Sequence, residues 1–304
     1  MDNASSEQKN QAPIIHTIAG SESSGSAGGQ VDLRVFADNK CFGLASFTSI
    51  VSFMPKLNWQ HIFTAISPDL LKQQLQASTA HKPNCIKIGM LGDIQTIDIV
   101  AQFLGKHISK KTPIVVDPVL VCKGESAQSS DVEVNNLSKN TQTENAQIRN
   151  ASQKIDQALQ EKIIPLADVI TPNLEEAEIL SGIKHIKNTE DILLAGKQIL
   201  QLGCRAVIIK GGNRLAALHP SEPAGKQAID ILITPDSSSI LAQPINKLGV
   251  ITGAGCTFSA ALACSLAQKK NLEEAFAHAK NYTYQAIINS VYSKLPLVSA
   301  GFGC

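Results

Sequence analysis

The stretch Pro113-Ile-Val-Val-Asp-Pro-Val119 decides the fold. Three consecutive β-branched residues leave no polar face, which suits a strand covered by protein on both sides. The run breaks at Asp117-Pro118, where a strand ends and a loop begins. Similar apolar runs occupy residues 14–19, 44–51, 85–90, 168–171 and 206–210, and longer helix-like segments lie at 68–80, 95–107 and 191–202. That alternation predicts an α/β fold in which helices sandwich a mostly parallel sheet. Functional residues are then expected just beyond the strand ends.

Composition bounds the function classes. A chain of 304 residues, 43% hydrophobic, can bury a large core, and its net charge of +1 lacks the basic footprint of a nucleic-acid binder. Residues 1–13 form a polar tail with no apolar signal core, and no later run is long enough to span a bilayer, so a cytoplasmic address and no membrane partner are expected. The seven cysteines are scattered without C-x-x-C pairs, which argues against a disulfide framework or a zinc site and for reduced thiols. Residues 124–153 are rich in Ser, Asn, Gln and Thr and read as a mobile surface insertion outside the core, either a spacer or a lid over a site at the end of the preceding strand.

Chemistry first becomes legible at Gly249-Val-Ile-Thr-Gly-Ala-Gly-Cys-Thr-Phe258. A Gly253-Ala254-Gly255 turn feeding an apolar helix leaves backbone amides unpaired at the helix start, where a phosphoryl group can sit, with Cys256 facing the ligand. The motif alone is equally consistent with an ordinary glycine-rich turn and a buried cysteine. Residues 229–234 and 240–245 read as a hairpin placed to flank a nucleotide. Ala19-Gly-Ser-Glu-Ser-Ser-Gly-Ser-Ala-Gly-Gly29 lacks the Lys-[Ser/Thr] of a Walker loop and the dinucleotide fingerprint, so it is read as a small-residue loop admitting a flat organic substrate. Asp32 would be its polar anchor, although in isolation it reads as a surface helix carboxylate. Asn173 and Glu176 share one side of a strand-to-helix junction and can hold Mg²⁺ through water or merely form a capping box. Lys210-Gly211-Gly212 ends a further strand with a cation and bare backbone, and Asp117 completes the set.

The ordered pieces Thr17-Ile-Ala-Gly-Ser21 with Ala27-Gly28 and Gln30-Val-Asp32, Ile86-Lys-Ile-Gly-Met-Leu-Gly92, Val116-Asp-Pro-Val119, Val169-Ile-Thr-Pro-Asn-Leu-Glu-Glu-Ala-Glu178, Val207-Ile-Ile-Lys-Gly-Gly212 and Gly253-Ala-Gly-Cys-Thr257 resemble the ribokinase-like superfamily. The resemblance is to its branch of pyridoxal and hydroxymethylpyrimidine kinases. It implies a single three-layer α/β/α domain over residues 1–304, with a mostly parallel central sheet, and ATP-dependent phosphorylation of a hydroxymethyl group on a vitamin ring. By resemblance, Gly253, Ala254 and Gly255 form the anion hole, Asn173, Lys210 and Gly212 border ATP, Asp117 and Glu176 organise Mg²⁺, and Cys256 stands where much of the superfamily has an aspartate base. A free thiol titrates at about 8.5 and is mostly protonated at neutral pH, but a helix N-terminus can lower that value, which would let Cys256 act as a base. Dimers are the commonest closed assembly, so a homodimer is expected.

Gly20, Ala27, Asp32, Phe53, His61, Met90 and Val119 would line the vitamin site. Pyrimidine kinases of this branch carry Gln or Glu in a Thr-Ala-x-x-x-(Gln/Glu)-Asn stretch, whereas Thr48-Ser-Ile-Val-Ser-Phe-Met54 places Phe53 there. Losing that hydrogen-bonding partner weakens an aminopyrimidine, and an aromatic ring suits a pyridine. Val121-Cys-Lys-Gly-Glu125, Trp59 and His61 are similar to bacterial pyridoxal kinases, in which a lid cysteine faces the substrate, so Cys122 is expected to join Cys256. Pyridoxal or pyridoxine is therefore the expected acceptor; the alternatives are a hydroxymethylpyrimidine/phosphomethylpyrimidine kinase, dual activity, or a catalytically silent homologue that binds the vitamin or nucleotide. Glu22, Ser26 and Arg34 depart from the family's Asp, Gly and Lys.

Overall fold

A computed structural model describes residues 11–54, 60–120, 141–212, 214–215, 227–245 and 252–289. In chain order the elements are β1 (Ile14–Glu22), α1 (Gly28–Asp38), β2 (Phe42–Met54), β3 (Gln60–Ala65), α2 (Pro68–Ser78), β4 (Cys85–Ile88), α3 (Ile94–His107), β5 (Ile114–Val116), α4 (Thr141–Lys162) and β6 (Val169–Ile170). They continue through α5 (Leu174–Ser181), α6 (Thr189–Leu200), β7 (Val207–Lys210), β8 (Gln227–Ile233), β9 (Ser238–Pro244), α7 (Ala254–Ala267) and α8 (Leu272–Ile288). One nine-stranded sheet runs β3-β2-β1-β4-β5-β6-β7-β8-β9. Its centre, β2 to β7, is parallel, and β3, β8 and β9 join antiparallel at the margins.

Both faces of the central strands are buried, as the continuous apolar runs predict. Ile114 and Val116 enter a core shared with residues of α2 to α6, while Val115 enters a second core under α1, α7 and α8. Neighbouring strands repeat the division, with Ile86 and Ile88 on the first side and Cys85 on the second. The chain crosses from β2 on one side of β1 to β4 on the other, so a crevice opens beyond the carboxyl ends of β1 and β4. Ligands gather at such switch points in open α/β sheets.

Residues 141–153 of the polar insertion begin α4, which docks on the core through Ile155, Ala158 and Leu159 beyond them. The earlier part of the insertion lies outside the described residues, as does Cys122. β2 also continues to Met54 and pairs with β3, placing Phe53 directly across from His61. Among the described residues, no helix is long and apolar enough to cross a membrane.

His16, fully buried in β1, supplies a pH-dependent term. Its Nε2 lies 2.9 Å from Ser46 Oγ, its Nδ1 has no partner, and its ring meets Phe103 edge-on. Burial pushes its pKa down to about 4. The unfolded chain therefore binds a proton in the window from about pH 6.5 to 4 that the folded chain refuses, and stability falls as pH drops through it, by about 3 kcal/mol in full. Urea melts of wild type and His16→Leu between pH 7 and 4 should show a steeper acid loss for wild type; parallel slopes would remove His16 as the cause.

Candidate active site

The loop after β1 folds around one carboxylate. Glu22 accepts from the Ser24 amide and hydroxyl, each at 2.6 Å, and from the Ser26 amide at 2.9 Å, and Arg34 donates to the Gly25 carbonyl. The departures Glu22 and Arg34 are thus the residues that shape the loop. Gly28 closes it through a bridge to Ser21, and a Cβ there would lie 2.4 Å from the Gly20 carbonyl oxygen. Ala27 forms the N-cap position of α1. Gly20 sits against Ser49 and Met90, and Thr48 donates to the Met90 carbonyl at 2.8 Å, so Gly20 and Met90 are neighbours.

The glycine turn seats on this loop. Gly253 has φ +81°, and a Cβ on it would fall 1.9 Å from the Ser26 carbonyl oxygen. A left-handed residue pressed against backbone can only be glycine here. The first intrahelical bond of α7 runs from Thr257 N–H to the Gly253 carbonyl at 2.8 Å, and no side chain caps the helix. The amides of Ala254, Gly255 and Cys256 therefore remain available at the positive end of the helix, a place suited to an anion.

Three strand ends bring charge to the same point. Lys210, the last residue of β7, places Nζ 3.1 Å from Asp117 Oδ1, which also accepts from Thr171 Oγ1 at 3.2 Å. A Cβ on Gly255 would lie 3.2 Å from that ammonium and 3.9 Å from Asp117 Oδ2, so the pair abuts the turn. Burial pushes the Asp117 carboxyl up, but Lys210 and Lys87 outweigh it and hold the group below its ordinary value. Asn173 and Glu176 form a capping box on α5, with both bonds at 2.8 to 2.9 Å. Burial, opposed by Lys210 and reinforced by Asp117, pushes Glu176 up to about 7. Val119 follows Asp117 through a turn in which its amide bonds the Asp117 carbonyl.

Asp32 is not a surface carboxylate. It is fully buried, accepting from Lys87 Nζ at 3.0 Å and Thr17 Oγ1 at 2.6 Å, so it supports the loop from within. Lys87 is buried as completely; burial works against its charge, and Asp32, Cys256 and Asp117 together raise its pKa regardless. The expected lowering of the Cys256 thiol is also overturned. Burial pushes it up to about 11, with Lys87 opposing and Asp117 and Asp32 adding to the rise. The helix end does not offset the loss of water around the sulfur.

Beyond Lys210 opens a cavity of about 450 Å³, lined in part by Asn173, Lys210, Gly212, Ala254, Gly255 and Phe258. Its opposite wall comes from β8, β9 and α8. Asp230 and Lys280 pair at 2.8 Å in this wall, both nearly buried, and Asp230 accepts the Gly211 amide at 3.1 Å. Neither these two nor Lys87 was singled out from the sequence. Lys87 stands inside a quoted motif, but the residues it faces are far away along the chain. Among the described residues, no cluster of three or more His, Cys, Asp or Glu forms a metal cage.

The family model described as phosphomethylpyrimidine kinase matches residues 22–148 and 144–295. Pyridoxine kinase of Bacillus subtilis is 36% identical over 275 residues, spanning 90% of each chain. The hydroxymethylpyrimidine/phosphomethylpyrimidine kinase of the same organism is 29% identical over 276 residues, covering 90% of this chain and 89% of that protein. The crystal structure of an ADP complex of Bacillus subtilis pyridoxal kinase superposes with a TM-score of 0.80 at 32% identity, covering 96% of this chain and 97% of that one.

Proposed function

The chain belongs to the phosphomethylpyrimidine kinase family and is an ATP-dependent phosphotransferase, and on that premise we propose that its acceptor is the hydroxymethyl group of pyridoxal or pyridoxine. The observation that carries the reading is the uncapped Gly253–Gly255 turn, seated on the β1 loop and flanked by Lys210 and Asp117. Backbone donors aimed at a fixed point stabilise the charge that develops on a migrating phosphoryl group. Lys210 adds a positive charge beside them, and Asp117 holds that ammonium in place.

The polar residues fit Mg²⁺. The Asp117 charge adds to the rise in the Glu176 pKa, a repulsion that a dication between the two carboxylates would relieve. Magnesium ordinarily takes one or two carboxylates together with phosphates and water. When bound it would neutralise the nucleotide phosphates. Cys256, protonated at neutral pH, presents an S–H to the acceptor side rather than a ready base. A loose phosphoryl-transfer transition state needs little proton removal before the phosphorus–oxygen bond breaks, so positioning suffices.

Phe53 in place of the amide reader favours the pyridine ring over the aminopyrimidine. ADP release measured in parallel should give kcat/KM at least about tenfold higher for pyridoxal than for hydroxymethylpyrimidine, the ratio that a lost hydrogen-bond partner supports. A higher value for the pyrimidine would reverse the assignment.

A further inference from the structure

The cavity beside Lys210 has two chemically different ends. Lys210 pairs in register with Asp230, but the β8–β9 ladder runs on to Gln227 opposite Pro244, three residues past the end of β7. At about 3.3 Å per residue that overhang extends roughly 10 Å beyond the cationic end. On the facing wall, α8 leaves the Asp230–Lys280 pair and continues through Thr283, Tyr284 and Ile287, which line the same cavity as Ala228, Gln243 and Pro244. The cationic, glycine-rich end suits phosphates, and the overhang is a mostly apolar slot with few polar groups, the usual make-up of a pocket for a flat ring.

Thr283 is the anomaly in that slot. It is only 9% exposed, and its Oγ1 is buried with no hydrogen-bond partner among the described residues. A buried hydroxyl ordinarily finds a partner, and a helical threonine most often bonds the carbonyl of the preceding turn. Thr283 lines the cavity, and one χ1 step exchanges its Oγ1 with the methyl group, the move by which the hydroxyl would reach a ligand there. We propose that Thr283 is the specificity-determining residue for the nucleobase, its hydroxyl bonding the polar edge of adenine while Tyr284, Ile287 and Pro244 cover the ring. The assignment rests on the nucleotide reading of the cavity and goes beyond it by naming the contact that recognises the base.

Titration calorimetry with Mg-ADP on wild type, Thr283→Val and Thr283→Ser, together with melting of the unliganded proteins, tests it. Valine should weaken ADP about fivefold, the ratio one neutral hydrogen bond supplies, while serine stays within about twofold of wild type. Unliganded Thr283→Val should melt no lower than wild type, because it loses an orphaned hydroxyl rather than a bond. Equal ADP affinity for valine and wild type would overturn the proposal, as would serine weakening as much as valine, or a valine variant whose weaker binding comes with a lower melting temperature. Failure of wild type to bind ADP at all would overturn the nucleotide reading itself, whereas ADP binding indifferent to residue 283 overturns only the role of Thr283.

Discussion

Gly253→Ala is expected to lower kcat at least about 100-fold while Gly255→Ala lowers it about tenfold or less, on the scale of losing or slightly displacing one transition-state donor. The difference follows from what each new methyl meets. At Gly253 it falls 1.9 Å from a backbone oxygen, that of Ser26, on a residue with φ +81°. Neither the strain of left-handed alanine nor the clash can be relieved by a side-chain rotation, so the turn lifts off the β1 loop and its amides lose their aim. At Gly255 the methyl meets the Lys210 ammonium at 3.2 Å, the far end of a flexible chain that can step aside. Steady-state rates for both variants, with melting temperatures to confirm folding, check the order. Equal losses, or a larger loss at Gly255, would contradict the seating of the turn on the loop.

Lys210→Met should act on activity and stability together, and the two can be separated. The side chain is 13% exposed and its partner Asp117 5%, so removing the ammonium strands a buried carboxylate at about 3 kcal/mol. Activity should fall about 100-fold or more, because a cation beside the phosphoryl site is lost with it. Adding Asp117→Asn should recover most of the stability, since no unpaired charge remains, without recovering activity. Denaturant melts and ADP release for the single and double variants decide this. If the double variant regained activity along with stability, Lys210 would be structural and not part of the phosphate site.

The parts legible in the sequence are those set by local pattern. Ile114-Val-Val116 could be read as a two-sided strand because burial on both faces leaves no polar residue in the run. The glycine turn was legible because its unpaired amides follow from helix geometry alone. α4 went unread because its first turns carry few apolar residues, and its anchoring side chains, Ile155, Ala158 and Leu159, lie beyond the polar stretch. α8 went unread although Asn271 and Glu274 announce it with a capping box, a signal that was present.

Charged pairs were the harder part. Asp32 alone looks like a solvated helix residue, and only the arrival of Lys87, 55 positions later, shows why it can be buried. Asp230 and Lys280 come from a strand and a helix whose adjacency is a property of the assembled sheet and not of either segment. The Cys256 thiol failed for a related reason: proximity to a helix start is visible in sequence, but the depth of burial that opposes it is not.

The most direct measurement is a crystal structure with Mg-ADP, pyridoxal and a planar fluoroaluminate standing in for the transferring phosphoryl group. The fluoroaluminate should lie within hydrogen-bond reach of the amides of Ala254 and Gly255, with the Lys210 ammonium beside it and the Cys256 sulfur on the acceptor side. A fluoroaluminate bound away from residues 253–256, or a turn whose amides are already satisfied by protein, would contradict this placement.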